Sequence, residues 1–401
     1  MNLDGNQTSI RQACAAGLLA GAVTLVWRHA EVLQVNEIGY QDVDAGVPMR
    51  RDTIFRIASM TKPVTVAAAM SLVDEGKLEL RDPITQWLPE FTQLRVLDDP
   101  TGPLDQTHPL QREILVEDLL THRSGLTYGF VATGPISRAY LRLPFGRGPD
   151  VWLAELAALP LVHQPGERVT YSHAIDVLGV LLARIEGKPC HQVLEERILT
   201  PLGMTDTGFC VPISARHRAA TMYRLNENDQ LAHGVMWPPR PTPPAFCNAG
   251  GGLWSTVDDY CRFVEMLLHA GRANGTQVLS PEAVRAMRTD QLTEAQKRHP
   301  FLGAPFWVGR GFGLNLSVVT DPRQSTQLYG PGGVGTFGWP GAYGTWWQAD
   351  PNADLILLYL IQNLPTLSAD AASAIAGNTS VARLHSVQPK FVRHTYRALG
   401  L

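Results

Sequence analysis

Strand-like stretches at both ends of the chain and helices through its middle predict an α+β fold, an antiparallel sheet flanked by helices with an inserted, mainly helical lobe. Three observations carry this. Residues 22–27, 32–38, 312–319, 342–349 and 355–361 alternate or run apolar between Gly, Asp and Pro. The long stretch between these two groups is helical, broken at regular intervals by turn residues. The 36 glycines and 29 prolines are too many for a plain helical bundle.

Taken in order, Ile10 to Leu19 reads as a helix, and Ala22–Trp27 with Val32–Ile38 as a hairpin around the polar tip Arg28-His29-Ala30-Glu31. From Ser59 to about Glu75 the chain reads as a helix stopped at Gly76. Val64, Val66, Ala67, Ala68, Ala69, Met70, Leu72 and Val73 make it apolar on nearly every face, so it is buried all round. Pro63 is tolerated only in its first turn, which puts Ser59 at the N-terminus. Helices follow at 114–121, 149–159, 174–186 and 192–199, ended by Gly125, Pro160, Gly187 and Pro201-Leu202-Gly203. A Pro-rich stretch at 238–246 leads to Gly250-Gly251-Gly252 and a helix over 256–270. The terminal strands then return, and 391–399 closes as an amphipathic helix. The expected division is a sheet lobe from residues 1–80 and 250–401 around a helical lobe from 81–249, with the site in the cleft between them.

Composition excludes several classes. The 401 residues carry 34 basic against 37 acidic side chains, net −3, which leaves no basic excess to neutralise a nucleic acid. No run of about 20 apolar residues suits a membrane span. The five cysteines are widely spaced, with no Cys-x-x-Cys or Cys/His cluster, which points to reduced thiols and a cytoplasmic setting. Asn6, Asn274, Asn315 and Asn378 match glycosylation sequons, which matter only in a secreted chain. Gly333-Val334-Gly335-Thr336-Phe337-Gly338 has dinucleotide-binding spacing but precedes a strand, so its context fails.

Three elements carry chemistry. In Ser59-Met60-Thr61-Lys62 the Ser and Lys are one helical turn apart on one face. A serine hydroxyl is a weak nucleophile until a base takes its proton, and a lysine serves as that base when burial disfavours its ammonium form. Tyr171-Ser172-His173 precedes a helix, and a phenol beside an ammonium can act as a proton acceptor. Gly338-Trp339-Pro340-Gly341 leads into the strand at 342–349; Pro340 implies an edge strand there, whose backbone N–H can face an oxyanion. His122, before Arg123-Ser124-Gly125, reads as structural.

In this order the three elements resemble the serine β-lactamase and penicillin-binding-protein superfamily, most closely its class C-like branch with the family VIII carboxylesterases. The stretches 54–62, 119–126, 201–207 and 250–256 support the likeness, which spans about residues 10–362. It implies a five-stranded antiparallel sheet, Ser59 as acylated nucleophile, and Lys62 with Tyr171 sharing proton transfer. The backbone N–H groups of Ser59 and Ala342 would form the oxyanion hole, and no metal or organic cofactor is needed. Two departures bear on substrate. Where the family has Tyr-x-Asn this chain has His173, and where it has Lys-Thr-Gly it has Trp339-Pro340-Gly341, without the cation that holds a β-lactam carboxylate. With Trp339, Gly341 and His173 as substrate contacts, and Trp254, Trp346 and Trp347 either extending an aromatic wall or, for at least half of these tryptophans, packing the core, the expected substrate is a small-molecule, short-chain carboxylic ester. An acyltransferase, a β-lactamase or D-Ala peptidase, and a non-catalytic scaffold on this fold are the alternatives.

Overall fold

The computed structural model describes residues 2–234, 236, 238–273, 275–364 and 379–401. Its centre is an antiparallel sheet with eight strands where the resemblance implies five. In chain order these are β1 (Gly21–Arg28), β2 (Glu31–Asp42) and β3 (Val47–Pro48) from the N-terminal part. A separate pair, β4 (Phe55–Arg56) and β5 (Trp254–Ser255), lies beside the sheet. The rest of the sheet is β6 (Arg310–Phe312), β7 (Ser317–Val319), β8 (Phe337–Gly338), β9 (Trp346–Asp350) and β10 (Leu355–Leu360). The order is β6-β7-β8-β9-β10-β1-β2-β3, so the two chain ends meet where Val23 pairs with Leu360.

The helices are α1 (Thr8–Ala15), α2 (Thr61–Asp74), α3 (Val116–Leu120), α4 (Gly134–Leu141), α5 (Pro149–Ala157), α6 (Ala174–Glu186) and α7 (Cys190–Leu194). They continue as α8 (Val257–Leu268), α9 (Pro281–Arg288), α10 (Glu294–Lys297), α11 (Pro322–Tyr329), α12 (Thr379–His385) and α13 (Val387–Leu399).

Both faces of the sheet are covered, which explains why β10 reads Leu-Ile-Leu-Leu-Tyr-Leu without alternation and buries all six residues. On one face Ala22, Val26, Leu357 and Tyr359 pack with Ile10 of α1 and Phe391, Val392 and Tyr396 of α13. On the other, Val23, Leu25, Leu358 and Leu360 join the main core with α2, α6 and α8. Thr61 to Leu72 of α2 are all buried, as its all-round apolar sequence requires.

Three strand readings change. The run 312–319 is a hairpin: Asn315 adopts φ 59°, and β6 turns back on β7 so that Phe312 pairs with Ser317. The strand read at 342–349 starts at Trp346, because Gly341 N–H donates to Thr345 O (2.7 Å) and closes a turn first. Pro340 therefore marks no edge; β8 lies inside the sheet between β7 and β9, and Pro340 follows it where the ladder has ended. Of the four sequons, Asn6 and Asn315 are buried, with side chains bonded to Thr395 and to Leu120 O; Asn274 and Asn378 lie outside the described residues. No described helix is long and apolar enough to cross a membrane.

Candidate active site

Ser59 sits in the single 3-10 turn Ala58–Met60 that feeds α2. Ala58 is held at φ 45°, a left-handed conformation that costs a non-glycine residue about 1 kcal/mol or more. The segment 250–261 holds it there. β4 pairs with β5, Ile57 N–H donates to Leu253 O (3.1 Å), Leu253 N–H donates to Thr61 Oγ1 (3.1 Å), and Tyr260 Oη donates to Met60 O (2.8 Å). Turn and helix are thus over-determined from a part of the chain some 200 residues away.

Lys62 lies on the first turn of α2 and is 1% exposed. Its Nζ donates to Ser59 Oγ at 3.2 Å and to Gly250 O at 2.6 Å, and stands 4.6 Å from the centre of the Tyr171 ring. Tyr171 Oη donates to the same Ser59 Oγ at 2.6 Å and accepts from Trp339 Nε1 at 3.4 Å. Lys62 and Tyr171, read from separate motifs, therefore converge on the Ser59 hydroxyl, and Trp339 of a third motif bonds the Tyr171 hydroxyl behind it.

Gly341 and Ala342 lie in the turn before β9. A Cβ on Gly341 would stand 2.3 Å from Ile57 O and 2.1 Å from Thr345 Oγ1, so only glycine lets this turn lie against the backbone just before Ser59. Ala342 is exposed at the tip of that turn, next to the Ser59 segment. His173 is buried beside Asp176. It is 5% exposed, with Nδ1 2.7 Å from Asp176 Oδ2 and its ring among Tyr128, Phe145 and Trp152.

Around Tyr171 and Trp339 the aromatic wall is completed by residues that sequence reading passed over. Tyr128, Tyr171, Phe301, Trp307, Phe312 and Trp339 form one buried cluster, with Phe306 packed against it. Phe301 is edge-on to Tyr171 at 5.7 Å, and Trp339 meets Phe312 at 5.2 Å. The other tryptophans serve elsewhere. Trp254 lies under the Arg56 guanidinium, and Trp347 packs on Tyr260 and Phe337. Trp346 and Trp347 share with the back of Trp339 a cavity of about 240 Å³ that reaches Gln388 and Pro389 of α13.

Three further residues complete the site. Gly250 supplies the carbonyl that Lys62 holds; Asp176 accepts from Gly250 N–H at 2.9 Å; and Tyr128 covers Tyr171 edge-on at 5.3 Å. An acidic residue in the first turn of a helix otherwise as apolar as 174–182 is the signal that marks Asp176. Burial, with Asp176 and Tyr171 adding to it, raises the Tyr128 phenol well above its ordinary range, so it stays protonated. His122 is fully buried at φ 55° with Nδ1 3.1 Å from Ser172 Oγ, and burial together with Lys62 keeps its ring neutral.

Comparison with known proteins agrees with the fold and places it in a family. The Beta-lactamase family model matches residues 7–378. Protein Rv1367c of Mycobacterium tuberculosis is 74% identical over 401 residues, the whole of both chains. Esterase EstB of Burkholderia gladioli is 34% identical over 373 residues, 87% of each chain. Among solved structures, "EstCE1, a hydrolase with promiscuous acyltransferase activity" superposes with a TM-score of 0.76 at 28% identity, over 94% of this chain and 97% of that one.

Proposed function

The chain belongs to the beta-lactamase family, and from that premise we propose that it is a serine hydrolase of the carboxylesterase type, cleaving short-chain carboxylic esters through an acyl-enzyme on Ser59. The observation that carries this is the convergence of Lys62 Nζ (3.2 Å) and Tyr171 Oη (2.6 Å) on Ser59 Oγ.

The steps follow from the groups present. Lys62 and Tyr171 together take the Ser59 proton as Oγ attacks the ester carbonyl. Which of them holds the proton at rest is a property of the coupled pair. The carbonyl oxygen gains charge in the tetrahedral intermediate and takes hydrogen bonds from the backbone N–H groups of Ser59 and Ala342. The positive end of α2 favours the same charge. The pair then returns the proton to the departing alcohol, and water, activated by the same pair, releases the acid. Gly341 keeps the Ala342 turn close enough for this, as its 2.3 Å Cβ limit against Ile57 O requires.

Trp339, Phe301, Phe306 and Phe312 favour an apolar acyl or alcohol group over an anionic one. The Trp339 position carries no cation for a β-lactam carboxylate, and a lost charge-assisted contact costs about 1.5–3 kcal/mol, one to two decades of affinity. The unpaired cysteines suit the cytoplasm.

A second reading is acyl transfer to an alcohol or amine, favoured by the likeness to a hydrolase named for its promiscuous acyltransferase activity. Both readings share every step up to the acyl-enzyme. The test is to compare kcat/KM for p-nitrophenyl butyrate and for nitrocefin, with a series of added alcohols. Ester turnover well above nitrocefin turnover is expected. The reverse order would return the chain to the β-lactamases, and acyl products formed with added alcohol in place of acid would favour transfer.

A further inference from the structure

Asp176 is a carboxylate whose side chain is 0% exposed, and no step above uses it. A buried charge of this kind is retained only where its partners are fixed. One oxygen faces His173 Nδ1 at 2.7 Å; the other accepts from Gly250 N–H at 2.9 Å. Gly250 is held at its other end too, because its carbonyl accepts from Lys62 Nζ at 2.6 Å. A Cβ at Gly250 would stand 3.1 and 3.2 Å from the two carboxylate oxygens and 3.2 Å from Tyr128 Oη, so the contact is close-fitted. Thr65 Oγ1 pins the preceding residue by donating to Ala249 O at 2.8 Å.

We propose that Asp176, oriented by His173, is a positioning residue that acts through Gly250 to aim Lys62 at Ser59. The inference rests on the acyl-enzyme reading above. A neutral lysine amine has two N–H groups and one lone pair. With one N–H fixed on Gly250 O, rotation about the Cε–Nζ bond is restricted, and the lone pair can be turned to Ser59 Oγ 3.2 Å away.

The groups facing the pair fit this role. The Tyr128 phenol and the Cys190 thiol of α7 are both raised by burial and stay neutral, and His122 is held neutral. Tyr140, Phe145 and Trp152 enclose the His173 ring with no charge of their own. His173 thus stands where the family pattern has an asparagine, and it serves the carboxylate instead of the substrate.

The test uses Asp176→Asn, which keeps an acceptor for Gly250 N–H, and Asp176→Ala, which does not. For each, kcat and KM are measured and normalised to the fraction of Ser59 labelled by a phosphonate probe. The expected result for Asp176→Asn is a kcat within a few-fold of wild type with KM nearly unchanged, because the acceptor for Gly250 N–H remains. Asp176→Ala should lose ~10²-fold in kcat per labelled site. A purely structural role would lower the labelled fraction and leave kcat per labelled site as in wild type in both variants; that result overturns the proposal. A wild type that neither turns over esters nor labels overturns the acyl-enzyme reading, and this inference with it.

Discussion

Replacing Tyr171 by Phe removes one oxygen from the centre of the site and little else. The ring is 7% exposed and packed against His122 (4.8 Å), Tyr128 (5.3 Å), Phe301 (5.7 Å) and Trp339 (5.8 Å), contacts that phenylalanine keeps. What is lost is the 2.6 Å bond to Ser59 Oγ and the 3.4 Å bond from Trp339 Nε1. Leaving the indole N–H without its acceptor costs about 1–3 kcal/mol of stability, at the low end because the bond is long. The kinetic loss is of another size. A positioned proton-transfer group contributes typically 10²–10⁴-fold, equivalent to about 2.7–5.5 kcal/mol of barrier. Tyr171→Phe should therefore keep its fold, shift its urea midpoint modestly, and lose 10²–10⁴-fold in kcat with KM within a few-fold. The assay is the pre-steady-state release of p-nitrophenol, which isolates acylation, beside a urea titration. A folded variant that acylates within ~10-fold of wild type would refute the role given to Tyr171.

Other expectations follow from neighbouring contacts. Lys62→Met should cost as much as Tyr171→Phe, and the double variant little more than the worse single one, because the two serve one proton; multiplying losses in the double variant would show independent roles. Gly341→Ala forces a Cβ to within 2.3 Å of Ile57 O and displaces the Ala342 N–H, so kcat should fall ~10²–10³-fold at similar KM; an unchanged kcat would remove that N–H from the oxyanion hole. His163 bonds Gln164 O and Thr170 Oγ1, and burial pushes its ring down to about 4. Since the unfolded histidine takes its proton near 6.5, the unfolded chain binds more protons between these values, and stability falls as pH falls through that window. The loss is about 2 kcal/mol between pH 7 and pH 5, measured as a shift in urea midpoint, and His163→Gln should remove that part of the pH dependence; an equal slope in both proteins would contradict it.

Much of the fold was legible because it is local. The helix 174–186 and its stop at Gly187 agree with the sequence reading, and α2 differs only by the 3-10 turn that carries Ser59. The errors arise where a turn is hidden inside an apolar run. Asn315 reverses the chain within 312–319, and Gly341 to Thr345 close on themselves before β9 begins. The meeting of residues 59, 62 and 171 was legible from motif and spacing. Its support was not. The Asp176–Gly250 bond spans 74 positions and the Tyr260–Met60 bond 200, and no local pattern announces either. The make-up of the aromatic wall was hidden for the same reason. Phe301 carries no local signal, and only the packing shows that Trp347 is spent on Tyr260 and Phe337 in the core.

The central claim is a covalent acyl intermediate on Ser59. The direct measurement is intact-protein and peptide mass spectrometry after brief reaction with a fluorophosphonate probe and, separately, with p-nitrophenyl butyrate at low pH. The account predicts one adduct per chain, carried by the peptide that contains Ser59 and absent from Ser59→Ala. An adduct on another residue, or undiminished labelling and ester turnover in Ser59→Ala, would contradict it.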